Sequence, residues 1–166
     1  ELLAVVSPWL KDADGVTISG GEPFDQPEAL IVLLQALKLT EQQDVLVYSG
    51  HPIERLGRTL SLASGLIDAL ISDPYDESAS QTLLLRGSDN QRLHLLTKRG
   101  RQRFSVYNQP AEDLQRSLDV MFSDDGTVWL AGIPRRGEML RLKELLNAHG
   151  HSIVTTVARR SAPRPR

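Results

Sequence analysis

Three short apolar runs, each ending at a polar or glycine-containing turn, constrain the fold of this 166-residue chain more than any other feature. The runs cover residues 16–18, 45–48 and 69–71, and segments with apolar residues at helical spacing separate them. Short strands that alternate with helices predict right-handed βαβ units and a parallel sheet. The sequence therefore predicts an α/β fold with mostly parallel strands.

The turns after these runs are the first candidates for a functional site. Right-handed crossovers bring the carboxyl ends of parallel strands to one edge of the sheet, where ligands of such folds bind. The residues expected to meet there are Gly20, Gly21, Glu22, Ser49, Gly50, Ser72 and Asp73. We therefore expect one ligand cleft at this edge.

The most informative turn is Ser19-Gly20-Gly21-Glu22-Pro23. Two adjacent glycines permit positive φ and let a polar ligand touch the backbone, because no Cβ atom stands in the way. Glu22 adds a carboxylate, and Pro23 fixes the path on which the chain leaves the strand. The alternative is an ordinary βα loop in which Glu22 caps the segment that follows.

Helices are expected on either side of the strands. Apolar residues at helical spacing predict a helix near the start of the chain, a second from Pro27 and a third that opens at Pro52. In the second helix, Leu30, Leu34 and Leu37 lie on one apolar face. This pattern places helices against the sheet, as a βα series requires.

The second half of the chain has a different texture. Residues 83–85 and 93–96 predict a hairpin-like segment, and the basic run 98–103 is interpreted as a solvated loop rather than a nucleic-acid site. A strand is predicted at 104–107 and a helix at 111–121. A turn at 124–126, a strand at 128–130, a helix at 138–148 and a last strand at 153–154 then predict a small α/β segment.

Composition excludes several classes of function. The formal net charge of −2 gives no field that would draw the whole molecule to a polyanion. The chain has no cysteine, which excludes disulfides and thiolate metal sites. No run approaches the roughly 20 apolar residues of a membrane helix, so a cytoplasmic location is expected. A helical pattern that starts at Leu2, without an initiator Met, predicts a chain truncated at its N-terminus.

Four motifs in order resemble a known family: Ile18-Ser19-Gly20-Gly21-Glu22-Pro23, then Tyr48-Ser49-Gly50, then Asp73-Pro74-Tyr75, then Arg86-Gly87-Ser88-Asp89-Asn90-Gln91. Together they resemble the short radical S-adenosylmethionine proteins, and among these the activating proteins of anaerobic ribonucleotide reductase and related glycyl radical enzymes. The resemblance spans residues 1–97 and implies a partial (β/α) barrel that lacks its N-terminal strand. Residues 98–158 are then an α/β extension and 159–166 a disordered basic tail.

The resemblance also implies a cofactor site. Gly20, Gly21 and Glu22 would hold the amino group of S-adenosylmethionine, with Ser19 and Pro23 shaping the loop. By the same resemblance, Tyr48, Ser49 and Gly50 would line the middle of the cleft, and Asp73 would lie near the sulfonium end. The alternatives are that Asp73 is only a turn former and Tyr48 only a strand aromatic.

The family's chemistry needs a part that this sequence lacks. A 4Fe–4S cluster, held by a Cys-x3-Cys-x2-Cys loop, reduces the sulfonium, and the resulting radical takes hydrogen from a partner protein; an electron donor is implied as well. That loop would lie upstream of Glu1, and the four scattered histidines do not replace it. We therefore predict no metal ligands and no catalytic residues in this chain. The rival interpretations are a non-catalytic S-adenosylmethionine- or nucleotide-binding module and a plain α/β domain.

Overall fold

The computed structural model describes residues 2–38, 43–110, 118–122, 124 and 128–150. The chain divides into two compact units, residues 1–114 and 115–166. No helix among these described residues is long and apolar enough to cross a membrane.

The first unit is an α/β structure with an open four-stranded sheet, as predicted from the alternation of strands and helices. Its strands are β1 (Gly15–Ile18), β2 (Asp44–Tyr48), β3 (Ala69–Ser72) and β4 (Arg92–Leu95), in the spatial order β1-β2-β3-β4. β1, β2 and β3 run parallel, whereas β4 is antiparallel to β3. The described part of the sheet does not close into a barrel.

The first three helices of the first unit follow the predicted order, and the fourth was not predicted. They are α1 (Leu2–Leu10), α2 (Pro27–Lys38), α3 (Gly57–Leu62) and α4 (Lys98–Phe104), and short 3₁₀ turns cover Pro23–Asp25, Ile53–Arg55 and Ser105–Asn108. Pro27 opens α2 because proline lacks the N–H that the first helical position leaves unbonded anyway. The segment from Pro52 starts as a 3₁₀ turn, so α3 is shorter than the periodicity predicts.

Side-chain alternation along β2 divides the core into two clusters. Val45 and Val47 face α2 and α3, where they pack with Leu34 and Leu70, both fully buried. Leu46 faces the other way and packs with Ile71 and with Phe104 of α4. We call these the α2-face cluster and the α4-face cluster. Burying one such leucine or isoleucine contributes about 2 kcal/mol to the free energy of unfolding. Since both faces of the sheet carry such residues, packing on both faces stabilises it.

The predicted hairpin of residues 83–85 with 93–96 is wrong. β4 pairs with β3, in the register Ala69↔Leu95 to Ser72↔Arg92, and Leu83 forms only an isolated bridge with Pro110. The carboxylate of Asp89 accepts hydrogen bonds from the amides of Thr82 and Leu83, which holds this segment in a compact loop.

The basic run 98–103 is not a loop, since it forms α4. Thr97 caps the helix by accepting a hydrogen bond from Gly100 N, and Phe104 is buried at the other end. The strand predicted at 104–107 is wrong, because residues 105–108 continue as a 3₁₀ turn. Two of the basic side chains have partners in the first unit: Arg103 pairs with Asp44 at 2.8 Å, and Arg99 donates to Gln43 O.

The second unit contains a two-stranded antiparallel sheet and a helix among its described residues. The strands are β5 (Leu118–Phe122) and β6 (Val128–Gly132), and the helix is α5 (Glu138–Ala148). The helix predicted at 111–121 is wrong where the structure describes it, because 118–121 lie in β5. Its first part, the strand predicted at 153–154 and the tail 159–166 lie outside the described residues. The boundary predicted after residue 97 stays a prediction.

Candidate functional site

The glycine turn after β1 is open and has the conformation that only glycine adopts easily. Gly20 has φ 93° and Gly21 has φ 58°, and a Cβ atom built on either would meet nothing within 4 Å. Both residues are exposed, and neither forms a hydrogen bond with another described residue. The peptide groups of this turn are therefore accessible to a polar ligand.

Glu22 joins the ends of β1 and β2 through its side chain. Oε2 accepts a hydrogen bond from Gly50 N at 2.7 Å, and Oε1 accepts from Ser49 Oγ at 2.9 Å. Oε1 also accepts from Phe24 N at 3.1 Å, so Glu22 caps the 3₁₀ turn that begins at Pro23. The two readings of Glu22, inward residue and cap, are thus both parts of one arrangement.

The end of β3 is joined to the same loop by backbone hydrogen bonds. Ser49 N donates to Ile71 O at 2.9 Å, and Asp73 N donates to His51 O at 3.0 Å. Asp73 itself has φ 82°, which is uncommon for a residue with a Cβ atom. The three strand ends that the sequence predicts to converge are therefore in direct contact.

An ion-pair network surrounds Asp73. Arg92 Nε donates to Asp73 Oδ2 at 2.7 Å, and Arg92 Nη1 donates to Glu54 Oε1 at 2.8 Å. The hydrogen bond from Arg92 lowers the pKa of Asp73, and it lowers the pKa of Glu54 to about 2. One guanidinium thus pairs with two carboxylates, and Glu22 adds a third carboxylate at these strand ends, an arrangement that suits a cationic ligand.

Ser72 and His94 extend this network through hydrogen bonds to Asp73 and to each other. Ser72 is fully buried; its Oγ donates to Asp73 Oδ2 at 2.8 Å and lies 2.9 Å from His94 Nε2. Since the hydroxyl proton is given to Asp73, His94 must carry its proton on Nε2 to donate to Ser72. Burial lowers the pKa of His94, so the neutral Nε2–H form is the stable one near neutral pH.

A second histidine stands beside the glycine turn. His51 Nε2 lies 2.9 Å from Asp25 Oδ1, and His51 N donates to Ser49 Oγ at 3.0 Å. This pair connects the loop after β2 to the 3₁₀ turn that begins at Pro23. The spacing of Asp25 and His51 in the sequence gives no hint of the contact.

Tyr48 lies in a different environment from the glycine turn. Its ring packs against the α4-face cluster, and its hydroxyl donates to Leu85 O at 2.6 Å. Burial raises the pKa of Tyr48 to about 12. The structure therefore gives Tyr48 a packing role, and its contact with a cofactor stays a prediction.

The Arg86-to-Gln91 stretch has mainly structural contacts. Arg86 is buried and donates to Tyr107 O at 3.0 Å and to Asn108 Oδ1 at 2.7 Å. Gln91 accepts from Gly87 N at 2.8 Å and donates to Asp73 O at 3.1 Å. This stretch supports the loop after β3.

An apolar cleft of about 510 Å³ opens next to Gly20. Residues of α1 and α2 line it together with Ile18 and Pro23. The glycine turn thus contributes Gly20 and Pro23 to the wall of an apolar cleft.

Metal ligands are scarce among the residues that the structure describes. No three histidine, aspartate or glutamate side chains come together there in a way that could hold a metal ion, and the whole chain contains no cysteine. Iron–sulfur clusters are held chiefly by cysteine thiolates.

Comparison with known protein families gives a match over the first unit. The model of a family described as a 4Fe-4S single cluster domain matches residues 6–94, more than half of the chain. The matched region runs from α1 to β4 and includes every strand end of the candidate site. No curated protein and no solved structure matches the chain.

Proposed function

Since the chain belongs to the 4Fe-4S single cluster domain family, we propose that its first unit binds S-adenosylmethionine and acts as part of a radical S-adenosylmethionine activase-like protein. The observation that carries this proposal is the contact of the three strand ends beside an open glycine turn. Glu22 and Asp73 belong to loops that touch the same segment, residues 49–51.

The chemistry of this edge suits S-adenosylmethionine. The ligand carries an ammonium and a sulfonium against one carboxylate, so its net charge is positive, as the acidic edge requires. Carbonyl groups of Ser19, Gly20 and Gly21 would accept from the ammonium, and Glu22, which keeps Ser49 and Gly50 in place, supplies negative charge nearby. Asp73 would face the sulfonium end, with its carboxylate kept ionised by Arg92.

The residues of this chain do not fit a 4Fe–4S cluster. The cluster needs thiolates, and the 166 residues contain none. We therefore propose that the chain binds and orients the ligand, and that any cluster ligands come from outside these residues. A glycyl-radical-type protein substrate and an electron donor remain the proposed partners.

Titration calorimetry with S-adenosylmethionine tests the proposal directly. We expect binding to the 166-residue chain, and we expect S-adenosylhomocysteine, which lacks the sulfonium charge, to bind more weakly. Equal affinity for the two ligands would contradict the role of the acidic edge, and no binding at all would contradict the proposal.

The absence of cysteine favours a second candidate, a non-catalytic module that binds S-adenosylmethionine or a nucleotide and acts on a partner protein. Anaerobic reconstitution with iron and sulfide tests the expectation, shared by both candidates, that these residues hold no cluster. We expect no iron to be incorporated by the 166-residue chain, and stoichiometric iron would contradict our assignment of its residues. Binding of adenosine nucleotides as tight as that of S-adenosylmethionine would favour the module.

A further inference from the structure

The loop between β2 and α3 is held from two sides. On the β1 side, Glu22 accepts hydrogen bonds from Ser49 Oγ and Gly50 N. On the β3 side, His51 O accepts from Asp73 N, and Glu54 pairs with Arg92. The position of Gly50 relative to the glycine turn therefore depends on contacts at both ends of this short loop.

Arg92 is the centre of the second set of contacts. Besides the two shortest bonds, its Nη2 donates to Asp73 Oδ1 at 2.9 Å and to Glu54 Oε2 at 2.9 Å. The guanidinium thus forms a two-bond contact with each carboxylate. A planar fork with five N–H groups makes this arrangement possible, and a lysine ammonium cannot reproduce it.

The backbone of Arg92 is fixed independently of these ion pairs. Arg92 lies opposite Ser72 in the antiparallel ladder, and the next residue of β4, Leu93, packs against the α4-face cluster. Its side chain consequently extends from a rigid strand to two loops. Removing that side chain leaves the strand in place and affects mainly the loops.

Removing the Arg92 side chain would favour separation of the loop that contains Asp73 from the loop of residues 49–54. Asp73 and Glu54 would be neighbouring carboxylates without the cation between them, and Asp73 would lose support for its positive φ. The side chains of Arg92 and Glu54 are 45% and 64% exposed, so their ion pair contributes little to global stability. The expected effect is local rather than global.

We propose that Arg92 is a positioning residue for the ligand site: by clamping Asp73 to Glu54, it keeps the loop of residues 49–54 in the position in which Ser49 and Gly50 contact Glu22. This inference rests on the proposed function, since the site it serves is the proposed S-adenosylmethionine site. Arg92 touches no ligand itself and acts through the two carboxylates.

The test compares Arg92→Gln and Arg92→Lys with the control Arg55→Gln. Arg55 is an exposed arginine in the same 3₁₀ turn as Glu54, and it forms no ion pair among the described residues. Hydrogen exchange measured by NMR follows the amides of Gly50 and Asp73, whose acceptors are Glu22 and His51. The amide of Val47 in the buried strand reports global opening. Calorimetry with S-adenosylmethionine gives the affinity.

For Arg92→Gln we expect exchange at Gly50 and Asp73 to be at least roughly tenfold faster, with Val47 unchanged. The dissociation constant for S-adenosylmethionine should rise about fivefold, because binding must then also order the loop. Arg92→Lys should recover only part of both effects, and Arg55→Gln should show neither.

Two results would overturn the inference. If exchange at Gly50 and Asp73 matches the wild type, Arg92 does not hold the loop; if Val47 accelerates equally, Arg92 only stabilises the fold. A wild-type chain that binds no S-adenosylmethionine would reject the proposed function, and the exchange pattern then decides by itself whether Arg92 positions the loop.

Discussion

Glycine has opposite roles at the two ends of the parallel strands, which we call the amino-end edge and the carboxyl-end edge of the sheet. At the amino-end edge, a Cβ atom on Gly100 would lie 1.9 Å from Asp68 O, and one on Gly15 would lie 2.0 Å from Asp44 Oδ1. At the carboxyl-end edge, Cβ atoms on Gly20 and Gly21 would meet nothing within 4 Å, although both residues have positive φ. Glycine permits close packing at the first edge and leaves accessible backbone at the second.

The acidic residues at the two edges differ in burial and in the elements that they connect. Asp68 is 2% exposed; its carboxylate accepts from Val45 N and from the Thr97 hydroxyl, which attaches the start of α4 to the sheet. Glu22 and Asp73 are more accessible and join loops rather than core elements. The amino-end edge is thus built for stability, whereas the carboxyl-end edge leaves groups available to a ligand.

The largest expected effect belongs to the packed edge. Gly100→Ala should lower the free energy of unfolding by about 3 kcal/mol, because the new methyl group collides with the backbone of Asp68. Urea denaturation of the full chain measures it. As a control, Gly57→Ala in α3 has open space and should leave stability unchanged or raise it by up to about 1 kcal/mol. Equal midpoints for Gly100→Ala and the wild type would break the distinction between the edges.

Tyr48 tests whether a residue at the carboxyl-end edge can belong to the packed core. Burial raises its pKa to about 12, so the folded state holds the phenolic proton more tightly than the unfolded state does. The stabilisation is complete below pH 10 and is lost as the pH rises towards 12, by up to about 2 kcal/mol. Unfolding measured from pH 9 to pH 12 should show this loss, and Tyr48→Phe should remove this component. An ordinary tyrosinate transition near pH 10 for Tyr48 would contradict its burial.

Glu22→Gln should have a moderate effect. Glutamine has one acceptor oxygen where glutamate has two. At least one of the donors Ser49, Gly50 and Phe24 therefore loses its acceptor. We expect a loss of about 1.5 kcal/mol in the free energy of unfolding. The control is Glu28→Gln, an exposed change in the first turn of α2, which should stay within about 0.5 kcal/mol. Identical effects for the two variants would show that Glu22 joins nothing.

Gly21→Val should have an effect on stability similar to that of Glu22→Gln, together with the most specific effect on function. The positive φ should cost about 1–2 kcal/mol. Gly65→Val is a matched control, since Gly65 has φ 76° and equally open space but lies in the turn after α3. Both variants should lose similar stability, yet only Gly21→Val should weaken S-adenosylmethionine binding, by at least about tenfold. A similar loss of affinity in both would mean that strain alone explains it.

The order of elements up to β3 could be predicted because each carries its own local signal. The apolar run before Gly20 predicts β1, and the proline that opens α2 predicts the start of that helix. Both signals depend only on residues that are neighbours in the sequence. Between residues 83 and 121 these signals mislead, whereas the strand predicted at 128–130 and the helix predicted at 138–148 are confirmed by β6 and α5. The high charge of residues 98–103 hides a helix, and its sequence signal is Thr97, a capping residue three positions before Gly100.

The candidate site was predictable only in part. The glycine turn and Ser49-Gly50 are visible as motifs, and their contact through Glu22 follows from the parallel order of the strands. Arg92 was missed because its partner Glu54 lies 38 residues away in the chain. Ser72 and His94 were missed as a pair for the same reason, since only the antiparallel course of β4 brings them together.

The sequence by itself determined the βα series, the positions of the strand ends and the absence of thiolate ligands, because periodicity, glycine placement and composition are local or additive properties. Only the tertiary structure decided that β4 pairs with β3, that the basic run forms a helix against Asp68, and that Arg92 joins two carboxylates at the carboxyl-end edge. These features depend on contacts between residues far apart in the chain, and such contacts form only where packing fixes the backbones that carry them.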